Sequence, residues 1–216
     1  VNAVNIWRNV RTYHHGALAE AMVDQALSDV RAHGAERLSL RGIAQAVHVS
    51  PSAAYNHFAD KDALLQAVGR CGLAALDERM TRAMAAHPGD SDEEALARFA
   101  GLGRAYLAFA VEDPHLFRLT FSPVCKVFYE DPSGRDPAVK EPAEAGAYRK
   151  LIAALDDLDS RGMLRDGIRD GLDETVWAAV HGMACLIIEE ALPVEAGEAL
   201  VNSTARLVLN AHASRS

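Results

Sequence analysis

At 216 residues, half of them hydrophobic but only 6% aromatic, the chain can bury one full core or fold as a small domain leaning on a larger one. Ala, Leu and Val dominate with few consecutive β-branched positions, so the expected class is all-α. The net charge of −8 argues against a uniformly basic nucleic-acid binder, and the three scattered cysteines (Cys71, Cys125, Cys185) argue against a disulfide framework or zinc knuckle.

The opening stretch, VNAVNIWRNVRTYHHG, lacks the apolar core of a secretory signal, and no later run reaches the roughly 18 apolar residues of a membrane span. A cytoplasmic protein with reduced thiols, no cofactor and no membrane partner is expected. Helix one is predicted over 16–33, with Leu18, Met22, Val23, Ala26, Leu27 and Val30 on one stripe and Gly34 as its stop. Ser39 caps a second, two-turn helix carrying Leu40, Ile43, Ala44 and Val47. After a break at His48-Val49, Ser50-Pro51 is a cap followed by proline at the first helical position, which starts a third short helix through Tyr55 to Phe58.

Asp60 caps a long helix striped by Leu64, Leu65, Val68, Gly72, Ala75, Leu76 and Met80, which ends at His87-Pro88-Gly89. Ser91 to Glu94 forms a capping box for a helix carrying Leu96, Phe99, Gly103, Tyr106, Leu107 and Ala110, and Asp113-Pro114 restarts a short helix to Phe121. Residues 122–142 hold four prolines and read as a loop. A helix over about 143–161 bears Tyr148, Leu151, Ile152, Leu155 and Leu158 and gives way to a glycine-punctuated stretch. Two apolar helices close the chain, at about 173–192 and 194–213, for about nine helices in all.

Charge is unevenly placed along this order. Residues 1–70 hold seven Lys/Arg against six Asp/Glu, net +1, and five of the nine histidines, whereas the remainder is net −9. Only the N-terminal third can approach phosphate without strong repulsion. Residues 39–58 have the form of a helix-turn-helix: a supporting helix, a short turn, and a second helix whose N-terminal end is free to enter a major groove. Ala44 falls at the helix crossing, where a larger side chain would force the pair apart. Ser52, Tyr55, Asn56 and His57 face outward.

The segment LSLRGIAQAVHVSPSAAYNHFADKDALL, Leu38 to Leu65, resembles the N-terminal pattern of the TetR/AcrR regulators at almost every fixed position. YHHGAL before helix one and WAAVHG at 177–182 extend the resemblance; the latter is similar to a Trp-His-Gly signature of one C-terminal subgroup. The resemblance implies a DNA-binding domain at 1–60, with 1–14 as a flexible arm, and a helical ligand-binding and dimerisation domain at 61–216. It places Ser50, Pro51, Ser52 and Ala53 at the groove-facing start of the recognition helix and Tyr55, His57 and Lys61 on phosphates. Arg41 and Asn56 join them as DNA-binding candidates, and Arg8 and Arg11 as a minor-groove arm. The implied partners are a palindromic double-stranded operator, a small-molecule effector and a second copy of the chain through the last two helices.

Two positions depart from the family pattern. His48 stands where glycine is usual in the turn, so a left-handed backbone there would cost about 1–2 kcal/mol. Asn56 replaces a frequent arginine and removes one positive charge from the reading surface.

In the sensing half, Trp177 and His181 lie at i and i+4 on one helix face and read equally as a pocket wall or as a packed core pair. Phe117, Phe121 and Phe128, with Met183, are further apolar candidates for a pocket suited to a hydrophobic or amphiphilic effector. The regulator so described would act by repression, released by that effector. The rival readings are an enzyme, a metal sensor and a helical interaction protein without sequence-specific DNA binding. No G-x-S-x-G, Walker or HExxH motif is present, and of Cys125, His181 and Cys185 only the last two share a helix turn.

Overall fold

The computed structural model describes residues 10–125 and 146–209. Among them nine α-helices occur: α1 (Val10–His33), α2 (Leu40–Ala46), α3 (Pro51–Tyr55), α4 (Lys61–Ala85), α5 (Asp92–Glu112), α6 (Pro114–Thr120), α7 (Gly146–Ser160), α8 (Leu172–Ile188) and α9 (Glu195–Val208). One 3₁₀ turn, Ala35–Arg37, follows α1. The all-helical expectation holds, with shifts at the ends. Helix α1 begins at Val10 rather than residue 16, and α3 stops at Tyr55, three residues short of Phe58.

The starts obey their caps. Ser39 accepts from Gly42 N, Ser50 from Ala53 N, Asp60 from Ala63 N and Ser91 from Glu94 N, each satisfying a donor that the first helical turn leaves orphaned. Two ends use a left-handed residue other than glycine. At the end of α2, His48 has φ 58°, with Val49 N donating to Ala44 O (2.9 Å) and His48 N to Gln45 O (3.1 Å). At the end of α8, Glu190 has φ 58°, with Ala191 N on Leu186 O and Glu190 N on Ile187 O. Both are Schellman closures, in which the left-handed residue turns the chain so that the last carbonyls are satisfied.

A small N-terminal unit is built from α1, α2 and α3 around Met22, Ala26, Val30, Ile43, Ala44 and Ala54, all at most 1% exposed. Its crossing is closed by alanines: Ala44 on α2 and Ala54 on α3 have no exposed surface. Helix α4 starts in this unit and runs for 25 residues, about 37 Å at 1.5 Å per residue. It therefore ends well inside the larger unit, where it packs on α5, α6 and α7.

Helix α5 is the centre of the larger unit, packed by α4, α6, α7, α8 and α9. Phe109 on α5 and Phe117 on α6 are fully buried, worth about 1.5–3 kcal/mol each in apolar burial. Where α4 meets α6 the backbones come close: a Cβ on Gly72 would lie 1.9 Å from Thr120 Oγ1, and one on Gly69 2.2 Å from Cys125 Sγ. An ion cluster ties the bottom of the unit, with Arg161 reaching Asp157, Asp90 and Asp92 and Arg98 reaching Asp157. The stretch after α7 is anchored to the end of α9 by Arg165 N on Val208 O and Arg165 Nε on Leu209 O. Helices α8 and α9 and the turn between them leave Leu186, Leu192, Val194 and Leu207 exposed, Leu207 by 66%.

Candidate DNA-reading surface and ligand cavity

The candidate reading surface follows from local chemistry. Pro51 pre-sets the first turn of α3 and Ser50 caps it. Pro51, Ser52, Tyr55 and Asn56 are exposed, Tyr55 by 49%, and Ala53 and His57 are half-buried. Phe58 instead packs against the core. Arg41 is exposed on α2.

Ser50 and Lys61 are already engaged within the protein. Ser50 Oγ accepts from Ala53 N at 3.2 Å, which leaves its hydroxyl hydrogen to donate elsewhere. Lys61 Nζ donates to Glu36 O at 3.1 Å, pinning the start of α4 to the turn after α1. An ammonium has two further donors, so the same lysine can clamp the unit and face a phosphate. The left-handed backbone at His48 bears the strain expected there. His48→Gly should therefore stabilise the protein by up to about 1 kcal/mol, the strain relieved less the larger backbone entropy of glycine. A thermal melt that does not rise would show that the His48 side chain compensates for its backbone.

The second feature is a cavity in the larger unit, with about 890 Å³ of open space once the solvent beyond its mouth is included. Leu73, Leu76 and Met80 of α4 and Phe99, Leu102 and Tyr106 of α5 form one side; Tyr148 and Leu151 of α7, Val176, Trp177 and Val180 of α8 and Thr204 of α9 form the other, with Phe121 after α6. No Asp, Glu, Lys, Arg or His stands among these lining residues.

Of the sequence candidates, Trp177 and Phe121 line this space. Phe117 and His181 sit behind it: Phe117 is 1% exposed and its ring stacks on His181 at 5.4 Å between centroids. Phe128 lies outside the described residues, as does Arg8. Tyr106 and Tyr148 were legible only as members of helical stripes, and their polar ends are what distinguish them here.

Tyr106 Oη lies 2.7 Å from His181 Nδ1. A phenol is a far stronger hydrogen donor than a neutral imidazole N–H, so the hydroxyl donates and the ring proton resides on Nε2. That Nε2 faces Cys185 Sγ at 3.7 Å. The Trp177 indole, which can only donate, is directed at the same tyrosine hydroxyl. Tyr148 Oη donates to Asp173 Oδ2 at 2.9 Å, and Arg169 Nη1 donates to Asp173 Oδ1 at 3.2 Å. Asp173 itself has no exposed surface.

Burial pushes the Tyr106 hydroxyl far above its ordinary range and lowers the His181 imidazole below its own. The consequence for stability has a definite sign. Between the depressed folded value and the ordinary value of about 6.5, the unfolded chain binds a proton that folded His181 does not, so stability falls as pH falls through that window. In urea unfolding at pH 7.5 and 5.5, His181→Gln should lose part of the pH-dependent drop shown by the unmodified protein. An unchanged drop would remove His181 from the account.

Cys125 Sγ lies against the carbonyls of Leu119 and Leu65 on the α4–α6 side, whereas Cys185 lies beside His181. Among the described residues no group of three His, Cys, Asp or Glu is placed to hold a metal ion. Nor is any described helix long and apolar enough to cross a membrane.

Comparison with known proteins gives matches over both units. Residues 23–68 match the family model described as bacterial regulatory proteins, tetR family, and residues 99–208 match that of a tetracyclin repressor-like C-terminal domain. A protein of unknown function from Rhodococcus sp. RHA1 is similar at 25% identity and TM-score 0.69, over 92% of this chain and 98% of that one. The TetR family transcriptional regulator PfmR from Thermus thermophilus shares the fold at 17% identity and TM-score 0.54, over 86% and 97%. A structure described as a SmeT–triclosan complex does so at 18% identity and TM-score 0.54, over 91% and 94%. No curated protein matches the chain.

Proposed function

Since the chain belongs to the TetR family of bacterial regulatory proteins, we propose that it is a repressor that reads a palindromic operator as a homodimer and leaves it when a small hydrophobic or amphiphilic molecule fills the cavity. In this reading residues 1–60 form the DNA-binding domain and 61–216 the sensing and dimerisation domain. One observation carries it: a single helix, α4, begins at Lys61 beside the reading surface and supplies Leu73, Leu76 and Met80 to the cavity wall. A ligand that shifts α4 moves the head attached to it, provided that it binds one arrangement better than the other.

The homodimer rests on α8 and α9. Their outer faces carry small residues at four-residue spacing, Ala178 and Gly182 on α8 and Ala199 and Ser203 on α9, followed by exposed Leu186 and Leu207. Such faces pack closely against a second helix pair and would otherwise expose an apolar patch. Two-fold pairing of the heads then requires a two-fold operator, with half-sites about one helical turn of DNA or a multiple of it apart.

A gel-shift or footprint on the DNA flanking the gene, at low and high salt, tests the reader; release of that DNA by a cavity ligand tests the sensor. Absence of any protected sequence would sink the proposal. The charge at position 56 adds a quantitative check. Asn56→Arg should steepen the dependence of log K on log [salt] by about 0.9 per head if the new guanidinium meets a phosphate. Equal slopes for the two proteins would remove position 56 from the phosphate contacts.

A further inference from the structure

The polar groups of the cavity wall narrow what can bind there, and this step rests on the sensing reading above. Among the described lining residues, Tyr106, Tyr148, Trp177 and Thr204 carry the side-chain N–H and O–H groups. Three of them are engaged inside the protein: Tyr106 Oη donates to His181 Nδ1 and receives the Trp177 indole N–H, and Tyr148 Oη donates to Asp173. Thr204, in the middle of α9, differs: its hydroxyl has no hydrogen-bond partner among the described residues. A threonine on a helix can turn its hydroxyl back onto the carbonyl four residues earlier. Thr81, Thr120 and Thr175 all do so, on Asp77 O, Leu116 O and Gly171 O. Thr204 lines the cavity without that closure, so its hydroxyl is left for a ligand.

We infer that Thr204 is the specificity-determining contact of the cavity, and that the ligand is an uncharged, largely apolar molecule whose hydroxyl or carbonyl group hydrogen-bonds the Thr204 hydroxyl. A hydroxyl both donates and accepts, so it serves either group. The rings of Phe99, Phe121 and Trp177 and the leucines of α4 take the apolar body, and one open polar contact in such a wall fixes which end of the ligand faces α9. No charged side chain stands among the described lining residues, so an ion would give up its water with no opposite charge to replace it. Asp173, the buried charge behind Tyr148, is already paired with Arg169.

The test uses two-ring aromatic probes of similar size on the full-length protein at pH 7, with binding followed by calorimetry. 2-Naphthol, 2-acetylnaphthalene and 2-ethylnaphthalene should bind saturably, whereas 2-naphthoate and N-methylquinolinium should not bind measurably. Thr204→Val keeps the shape of the side chain and removes the hydroxyl. It should weaken naphthol and the ketone by about three- to tenfold and leave ethylnaphthalene unchanged. Thr204→Ser, which restores a hydroxyl, should recover most of the affinity for both polar probes. Thermal melts of the two variants check that each is folded.

Equal losses for the polar and apolar probes in Thr204→Val would give Thr204 a packing role and overturn the inference. So would unchanged affinity for naphthol and the ketone in that variant, an ionic probe binding as tightly as naphthol, or no saturable binding by any probe. Failure of the operator assay, by contrast, would strike the repressor reading and leave these affinities, which involve no DNA, to stand or fall by themselves.

Discussion

Arg169→Met is expected to lower stability by about 3 kcal/mol and the melting temperature by roughly 6–12 °C. The substitution keeps the aliphatic bulk and removes a guanidinium from Asp173, a carboxylate with no solvent exposure. Taking one member from a buried ion pair generally costs about 3–5 kcal/mol, because a charge is left in a low-dielectric site. The lower end applies here: Tyr148 Oη still donates to the carboxylate at 2.9 Å, and Asp173 lies in the first turn of α8, where the helix dipole favours negative charge. Arg169 also bonds Asp156 through Nε and Nη2, at 2.8 and 2.6 Å. Asp156 is 60% exposed, so that pair adds little.

The measurement is thermal and urea unfolding at one protein concentration, since dimerisation would make the midpoint depend on concentration. Asp173→Asn, which keeps an acceptor for Tyr148 and abolishes the charge, should cost less than Arg169→Met. A midpoint for Arg169→Met within a degree of the unmodified protein would mean that Asp173 does not depend on this cation.

The second large effect is at the α4–α6 contact. Gly72→Ala places a methyl 1.9 Å from Thr120 Oγ1 and 3.2 Å from Thr120 Cβ, and Thr120 is wholly buried with its hydroxyl donating to Leu116 O at 2.7 Å. Either that bond breaks or α6 moves outward. Overpacking of this kind costs about 1–3 kcal/mol, and alanine returns up to about 1 kcal/mol in helix propensity. A net loss of about 1–2 kcal/mol, or roughly 3–6 °C, is expected. Thr120→Ala in the same chain removes the oxygen and should recover most of the loss, the coupling expected of neighbouring residues. Two additive losses would refute the contact.

The α4–α6 contact also bears on signalling. Helix α6 touches α1 as well as α4, and Arg31 of α1 is paired with Asp113 at the start of α6 at 3.1 Å. Phe121, immediately after α6, lines the cavity. In the proposed regulator, displacement of Phe121 by a ligand would have two routes to the N-terminal unit, through α4 and through α1.

What the sequence determined by itself is the set of features whose causes are local. The caps at Ser39, Ser50, Asp60 and Ser91, the proline start of α3, the crossing at Ala44 and the left-handed turn at His48 each depend on residues within a few positions of one another, so spacing alone exposes them. The ends of α1 and α3 were less legible because fraying and turn closure are decided by neighbours in space. Of the cavity the sequence offered only Trp177 and Phe121, and the rest belonged to the tertiary structure. Its walls draw on α4, α5, α7, α8 and α9, and Tyr106 and His181 are 75 positions apart in the chain. A sequence stripe says that Tyr106 and Tyr148 face inward. Only the packed structure says where each hydroxyl proton goes, because the acceptors, His181 and Asp173, come from α8, a different helix from either tyrosine. Likewise Trp177 and His181 share one helix face, yet Trp177 lines the cavity and His181 stands behind it, a separation produced by Tyr106 of α5 and Phe117 of α6 packing against the histidine ring.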